Sequence, residues 1–339
     1  MNRQSMDAPP DATAVASLSD VGRLRSVNED SCDSFVGPDG ARLLVVADGM
    51  GGHRGGATAS REAVAAIGRV FEARGAEAPD RTLLRAIDEA NARIFALAEA
   101  DPELAGMGTT VVALLVDGGG RAAVAHVGDS RCYRWRSGRL EPLTVDHSVV
   151  AEMLRRGVLT PEEAAFHPRR NEILRSVGVL PAVETEVSPV ALEPGDWFLL
   201  CSDGLCGVVS DAEIELVLAR APSADDAVQD LVELANAAGG PDNVTVQILS
   251  VDAGRRPATD ARATDARRAA SPTVSPPAAA PSGIDAPAGP GASAAAEPGD
   301  DRERRTSTEP TGALRRNSPT WIALLVLLAV AAWWLLGGR

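Results

Sequence analysis

Through residue 251 the chain alternates short apolar runs with glycine-rich or acidic turns. The runs at 13–20 and 41–47 read as strands. Between Ala57 and Ala73 the apolar positions Ala63, Val64, Ile67 and Phe71 recur at helical spacing, and between Arg81 and Ala98 so do Leu83, Leu84, Ile87, Ile94, Phe95 and Ala98. Both segments are predicted to be amphipathic helices packed on a sheet. A dense β region follows at 108–116 (GTTVVALLV), 121–127 (RAAVAHV) and 131–135 (RCYRW). Its glycine turns are short enough to demand antiparallel pairing. From His147 to about Gly178 the sequence turns polar and helical, with Val149, Val150, Met153 and Leu154 as its apolar face. Strands are expected again at 183–191, 196–201 and 244–251, and helices at 211–220 and 223–238. Because strands and helices come in groups, the pattern predicts an α+β layered sandwich and not a doubly wound parallel sheet.

The pattern stops after Val251. Residues 252–319 are rich in Ala, Pro, Ser, Thr, Gly and Arg, with almost no large apolar side chain to offset ordering entropy, so a disordered linker is expected. Residues 1–12 are expected to be a disordered amino terminus, and because the first 16 residues lack the apolar core of an export signal, the amino terminus is expected to start in the cytoplasm. Trp321 to Leu336 is unbroken apolar sequence between Arg315, Arg316 and Gly337, Gly338, Arg339. A helix over 320–338 would span about 28 Å, close to a hydrocarbon core of roughly 30 Å. Trp321, Trp333 and Trp334 sit where interfacial anchors belong. The expectation is a single-pass carboxyl-terminal transmembrane helix in the cell inner membrane, tail-anchored, with the folded domain in the cytoplasm.

Composition narrows the chemistry. The formal net charge is -14, and all 33 basic residues are arginine. That balance argues against a nucleic-acid partner and suits a cation site. With 3% aromatic residues, the core must be built from Val, Leu, Ile and Ala. The cysteines, Cys32, Cys132, Cys201 and Cys206, form no CxxC pair, and none is followed six residues later by arginine. Reduced structural thiols are expected, and the Cys-x5-Arg phosphatases are excluded.

The stretch VVADGMGGHRGG, from Val45 to Gly56, carries the strongest chemical signal. A strand delivers Asp48 to a turn in which Gly49, Gly51 and Gly52 leave the backbone open to a ligand. Asp203 in LLCSDGL repeats the device, and Asp129 in HVGDSR closes another strand. Further acids stand in RLRSVNED (Glu29, Asp30), TVDHS (Asp146) and GGPDNVTV (Asp242, followed by Asn243). Carboxylates from separate strand ends of one antiparallel domain can converge on a single rim, which is how an all-oxygen site for Mg²⁺ or Mn²⁺ is built.

The ordered set RLRSVNED, VVADGMGGHRGG, GTTVVALLV, HVGDSR, DHS, CSDGL and PDNVTV resembles the metal-dependent Ser/Thr protein phosphatases, the PPM or protein phosphatase 2C-like family, in its bacterial form. The likeness spans about residues 13–251. It implies a four-layer αββα sandwich of two antiparallel sheets flanked by helices, with a two-metal Mn²⁺ or Mg²⁺ site at one end and a flap over about 147–175. Carried over by position, it implies that Asp48 bridges two metals, that the Gly49 carbonyl binds one of them, and that Asp203 and Asp242 hold the other. Glu29 and Asp30 would contact a metal or its waters. Asp129 with Asp203 would form a third, weaker site, Arg25 would bind phosphate, and Asn243 would orient Asp242.

The resemblance implies hydrolysis of phosphoserine and phosphothreonine by in-line attack of a bridging water, with phosphoproteins and Ser/Thr kinases as partners. The absence of any Asp-x-Asp pair agrees with a mechanism lacking a phosphoenzyme. Some relatives have a histidine after the Asp-Gly turn; here Met50 stands there, leaving His53 or a metal-bound water to protonate the leaving oxygen. His126, His147 and His167 are expected to be structural or flap residues. A catalytically inactive phosphoprotein scaffold and a phosphatase of small metabolites are the alternative readings of the same residues.

Overall fold

The computed structural model describes residues 14–52 and 54–251. Twelve strands are found among them: β1 (Ala14–Asp20), β2 (Ser31–Val36), β3 (Arg42–Ala47), β4 (Gly49–Met50), β5 (Gly108–Thr109), β6 (Val111–Val116), β7 (Ala122–Val127), β8 (Arg131–Arg136), β9 (Arg139–Pro142), β10 (Glu186–Val190), β11 (Trp197–Cys201) and β12 (Val244–Ser250). The helices are α1 (Gly55–Glu72), α2 (Pro79–Ala100), α3 (Val149–Arg155), α4 (Pro161–Ala165), α5 (Asp203–Cys206), α6 (Asp211–Arg220) and α7 (Ala224–Ala237). One five-stranded sheet runs β1-β12-β11-β8-β9 and the other β10-β7-β6-β3-β2, while β4 and β5 form a small ribbon. Every pairing is antiparallel.

The layers follow from the two-residue period of the strands. In β3, Leu43, Val45 and Ala47 pack against α1 and α2 with Val111, Ala113 and Leu115 of β6. The intervening Leu44 and Val46 face the opposite way, meeting Phe198, Leu200 and Leu249 between the sheets. The outer face of the first sheet, with Tyr133, Leu199 and Val246, packs on Ile214 and Leu218 of α6 and Leu231 of α7. Strands covered on both faces read as continuous apolar runs, which is why β3, β6 and β11 show no polar alternation. The αββα sandwich expected from the sequence is therefore present.

The differences are local. The segment 31–36 was not anticipated as a strand because its alternation is polar and its residues are mostly half-exposed or exposed, as befits the edge strand β2. The predicted strand 108–116 is broken at Thr110 into β5 and β6. The long polar helix expected over 147–178 is reduced to α3 and α4, because Gly157 takes a left-handed φ of 67° and Pro161 starts a new helix. The expected disordered termini and the apolar run Trp321–Leu336 lie outside the described residues; among those described, no helix is long and apolar enough to cross a membrane.

Candidate metal and phosphate site

Asp48 leaves β3 just as that strand hands over to the small ribbon. Its N–H donates to Thr110 Oγ1 at 3.0 Å, and its carbonyl accepts from the Thr110 N–H and the Thr109 hydroxyl, each at 2.8 Å. The break between β5 and β6 thus fixes the backbone that presents the Asp48 carboxyl. Gly49 follows under a steric constraint: a Cβ there would stand 2.2 Å from the Gly56 carbonyl oxygen and 2.5 Å from that of Glu29. Only glycine allows three backbone segments to meet at this point.

The other acids come from separate elements. Glu29 reaches the site from the loop before β2; its N–H is held by Asn243 Oδ1 at 2.8 Å and its carbonyl by the Ser60 hydroxyl at 2.6 Å. Asp30 lies buried beneath, with Oδ2 accepting from Ser202 Oγ at 2.8 Å and Thr245 Oγ1 at 2.7 Å. Asp203 opens α5, and Asp129 follows Gly128 at the end of β7. Asp242 accepts from Arg25 at 2.8 Å through Oδ2 and from the Asn243 N–H at 2.8 Å through Oδ1.

Asn243 was expected to orient Asp242, and its backbone N–H does so. Its side chain has a different task, donating to the Val21 and Val27 carbonyls at 2.9 and 3.0 Å and gripping the loop that carries Arg25 and Glu29.

A cavity of about 350 Å³ brings Arg25, Glu29, Asp48, Gly49, Asp129, Asp203 and Asp242 together. Asp30 lies below it and His53 lies outside the described residues. The electrostatics of the cavity are unbalanced. Burial, then the charges of Asp30, Asp203 and Asp129, holds the Asp48 carboxyl well above the usual carboxylate range. Burial raises Asp30 to about 7 and Asp129 to about 7, and raises Asp203 as well. Glu29 Oε1, Asp30 Oδ1 and Asp203 Oδ1 are buried without a hydrogen-bond partner. Buried carboxylate oxygens left unpaired are costly, and oxygen-only donors that repel one another are what a hard divalent cation neutralises. The residues present therefore fit Mn²⁺ or Mg²⁺.

Beside this cavity runs a groove of about 500 Å³ that shares Arg25, Asp129, Asp203 and Asp242 with it. The flap contributes Val150, Ala151 and Leu154 of α3 to its lining, together with Val208 and Pro241 from elsewhere in the fold. Both ends of the flap are clasped. The His147 N–H donates to Gly128 at 2.9 Å, the Leu174 N–H to His147 at 2.7 Å, and Val177 exchanges two backbone bonds with Thr109. His126 and His147 stack with ring centroids 4.5 Å apart, and His147 Nδ1 accepts from the Gly128 N–H at 3.2 Å.

These two histidines and Glu186 also place possible ligand atoms within 4.8 Å of one another. Nearly parallel rings cannot aim in-plane lone pairs at a common ion, and His126 Nε2 is already 2.9 Å from the Val145 carbonyl. The group anchors the flap, as expected of His126 and His147. His167 caps a flap turn by accepting from the Arg169 N–H at 3.2 Å.

Sequence reasoning missed three sets of residues. Thr109 and Thr110 position Asp48, and their signal was a pair of hydroxyls inside an otherwise apolar run. Ser202 and Thr245 position Asp30 across strands, which no local pattern reveals. Arg131 forks onto Asp146 at 2.8 and 2.7 Å, tying the flap root to the strand after Asp129.

Acids that cannot all stay charged unless cations join them, set at one end of an αββα sandwich, define a metal-dependent enzyme. The protein phosphatase 2C family pattern matches residues 23–245, and the chain belongs to that family. It is similar to the serine/threonine phosphatase stp of Listeria monocytogenes, 39% identical over 237 residues that cover 69% of this chain and 94% of the relative. The solved serine/threonine phosphatase of S. agalactiae superposes with a TM-score of 0.66 at 39% identity, covering 71% of this chain and all of that one. The catalytic domain of the serine/threonine protein phosphatase PstP, solved in complex with two manganese ions, gives a TM-score of 0.64 at 39% identity over 70% of this chain and 97% of that chain.

Proposed function

We propose that the chain hydrolyses phosphoserine and phosphothreonine in proteins, reversing Ser/Thr kinase action near a membrane. The observation that carries this reading is the set of three buried, partnerless carboxylate oxygens in and beneath the cavity that Arg25 lines. Asp48, the Gly49 carbonyl, Asp203 and Asp242 would hold two Mn²⁺ or Mg²⁺ ions, with Glu29 and Asp30 supporting them and Asp129 joining Asp203 at a third, weaker site. When bound, the ions supply an acidified water and neutralise charge on the phosphate.

The side chains do the rest. Arg25 offers a planar fork of donors that fits two phosphate oxygens, holding the phosphorus in line for attack. Its present partner, Asp242, keeps that fork at the rim of the cavity. Asp30, locked by two hydroxyls, props the floor. Met50 carries no proton to give, so the leaving serine or threonine oxygen takes its proton from His53 or from water. The apolar run Trp321–Leu336 anchors the chain, and Arg315 and Arg316 keep the enzyme domain on the cytoplasmic side.

The full chain is expected to dephosphorylate a phosphothreonine peptide with Mn²⁺ and to stop with EDTA. Asp48→Ala and Asp203→Ala should lower kcat by about a thousandfold or more and weaken Mn²⁺ binding, whereas Arg25→Ala should act mainly by raising KM about tenfold or more. Kinetics paired with Mn²⁺ titration calorimetry separate the two effects. Turnover that survives chelation but not thiol alkylation would refute the reading.

A further inference from the structure

The flap carries five arginines, and four of them are spoken for. Arg155 and Arg156 pair with Glu152, Arg169 with Glu172, and Arg175 with Glu184. Arg170 makes no ion pair and no side-chain hydrogen bond among the described residues, although it lines the groove. The other two groove arginines are likewise engaged, Arg25 with Asp242 and Arg131 with Asp146. Among the described residues, Arg170 is thus the groove cation left uncommitted.

Its position relative to the reacting centre is set by its neighbour. Asn171 lines both the acid-rich cavity and the groove, so it stands at their boundary. Arg170, its chain neighbour with Cα atoms about 3.8 Å apart, lines the groove and not the cavity. A peptide delivering its phosphate to the cavity lays its next residues in the groove, and at about 3.3 Å per extended residue the Arg170 guanidinium meets a side chain one to three positions from the phosphoresidue. The chemistry of that side chain follows from the surroundings. Of the acids that line the groove, Asp146 is paired with Arg131, and Asp129, Asp203 and Asp242 belong to the cation site, so the Arg170 guanidinium is the charge left to meet the flank. A guanidinium fork suits a carboxylate or a phosphate.

We propose that Arg170 is a specificity-determining residue that reads a second anionic group, carboxylate or phosphate, close to the phosphoresidue being hydrolysed. The proposal rests on the phosphatase reading above and names its substrate class: phosphoproteins with acidic or multiply phosphorylated sites. Arg170 takes no part in the bond-breaking step; it lowers KM for substrates of one charge pattern.

The test uses the full chain with Mn²⁺ and three phosphothreonine peptides that differ only at the flanking positions: alanine, glutamate or phosphoserine. In the wild type, kcat/KM for the two anionic peptides should exceed that for the alanine peptide about three- to tenfold, mainly through KM. The ratio, read within each variant, should fall towards one in Arg170→Ala and below one in Arg170→Glu. Anisotropy titration with the matching phosphonate peptides should reproduce the ratios in Kd. A larger gain for phosphoserine than for glutamate identifies phosphate as the ligand read, and equal gains identify any anion; both support the proposal. A wild type without preference for anionic flanks, or a preference that Arg170→Glu leaves intact, overturns it. If the wild type turns over none of the three peptides, the phosphatase reading falls and takes this proposal with it.

Discussion

Asp30 concentrates the conflict on which this site is built. Two hydroxyls satisfy one of its oxygens, yet burial, reinforced by the charges of Asp203 and Asp242, raises its carboxyl from 3.8 to about 7. Asp129 is raised to about 7 by burial first and then by the charges of Asp203 and Asp146. The sign of the consequence follows from proton counting. Between 3.8 and about 7 the folded chain binds protons that the unfolded chain has released, so the stabilising contribution is complete below the lower value and is lost as pH rises through the upper one. His147, whose pKa burial lowers, works in the opposite sense below 6.5, but it is one group against four raised carboxyls, Asp30, Asp48, Asp129 and Asp203. Asp39 and Glu62, lowered in the net by their arginine partners against a burial effect that raises them, matter only below about pH 4.5. In EDTA the folded domain should therefore melt several degrees lower at pH 8 than at pH 5.5. Mn²⁺ should restore most of that loss at pH 8 and little at pH 5.5, because it competes with the protons. Thermal unfolding monitored by circular dichroism reads both slopes, and a chelated protein whose Tm holds level or climbs towards pH 8 would contradict the argument.

At the scale of elements, what was legible in the sequence divides along physical lines. β3, β6 and β11 announce themselves because burial on both faces makes them uninterrupted apolar runs, and α1 and α2 because one buried stripe imposes the helical period. β2 was invisible for the converse reason: an edge strand with polar alternation buries too little to leave a signal. The flap was overread as helix because Val149 to Leu154 has a helical period, whereas the turn at Gly157 is decided by backbone conformation. For the site, the acids were readable as strand-end residues, but their supports were not. Thr110, Ser202 and Thr245 act on residues 62, 172 and 215 positions away.

Glycines at the β3–α1 junction test whether steric closure or turn conformation sets the site. Gly49→Ala puts a methyl group into two backbone carbonyls that cannot retreat and should cost about 2 kcal/mol or more. Gly52→Ala meets nothing within 4 Å and should lose only about 1 kcal/mol, for its φ of 83°. Urea unfolding compares them directly, and equal losses would mean that the three-segment contact at Gly49 is looser than its geometry requires.

At the scale of the whole molecule, the family domain is followed by residues 252–319 and then by the run from Trp321 to Leu336. Those 16 residues carry no charge and hold tryptophans at both ends, which supports the membrane anchor proposed above. Anchoring through that run, as proposed above, would raise the local concentration of enzyme at membrane-proximal phosphoproteins and leave kcat on a soluble peptide unchanged. The full chain should accordingly sediment with membranes and resist extraction by high salt, and its domain should be digested by protease only after the cytoplasmic side is opened. A chain ending at residue 318 should be recovered in the soluble fraction with the same peptide kinetics. Membrane association that persisted in the shortened chain, or a full chain released by salt alone, would show that contacts other than the apolar run hold the enzyme at the surface.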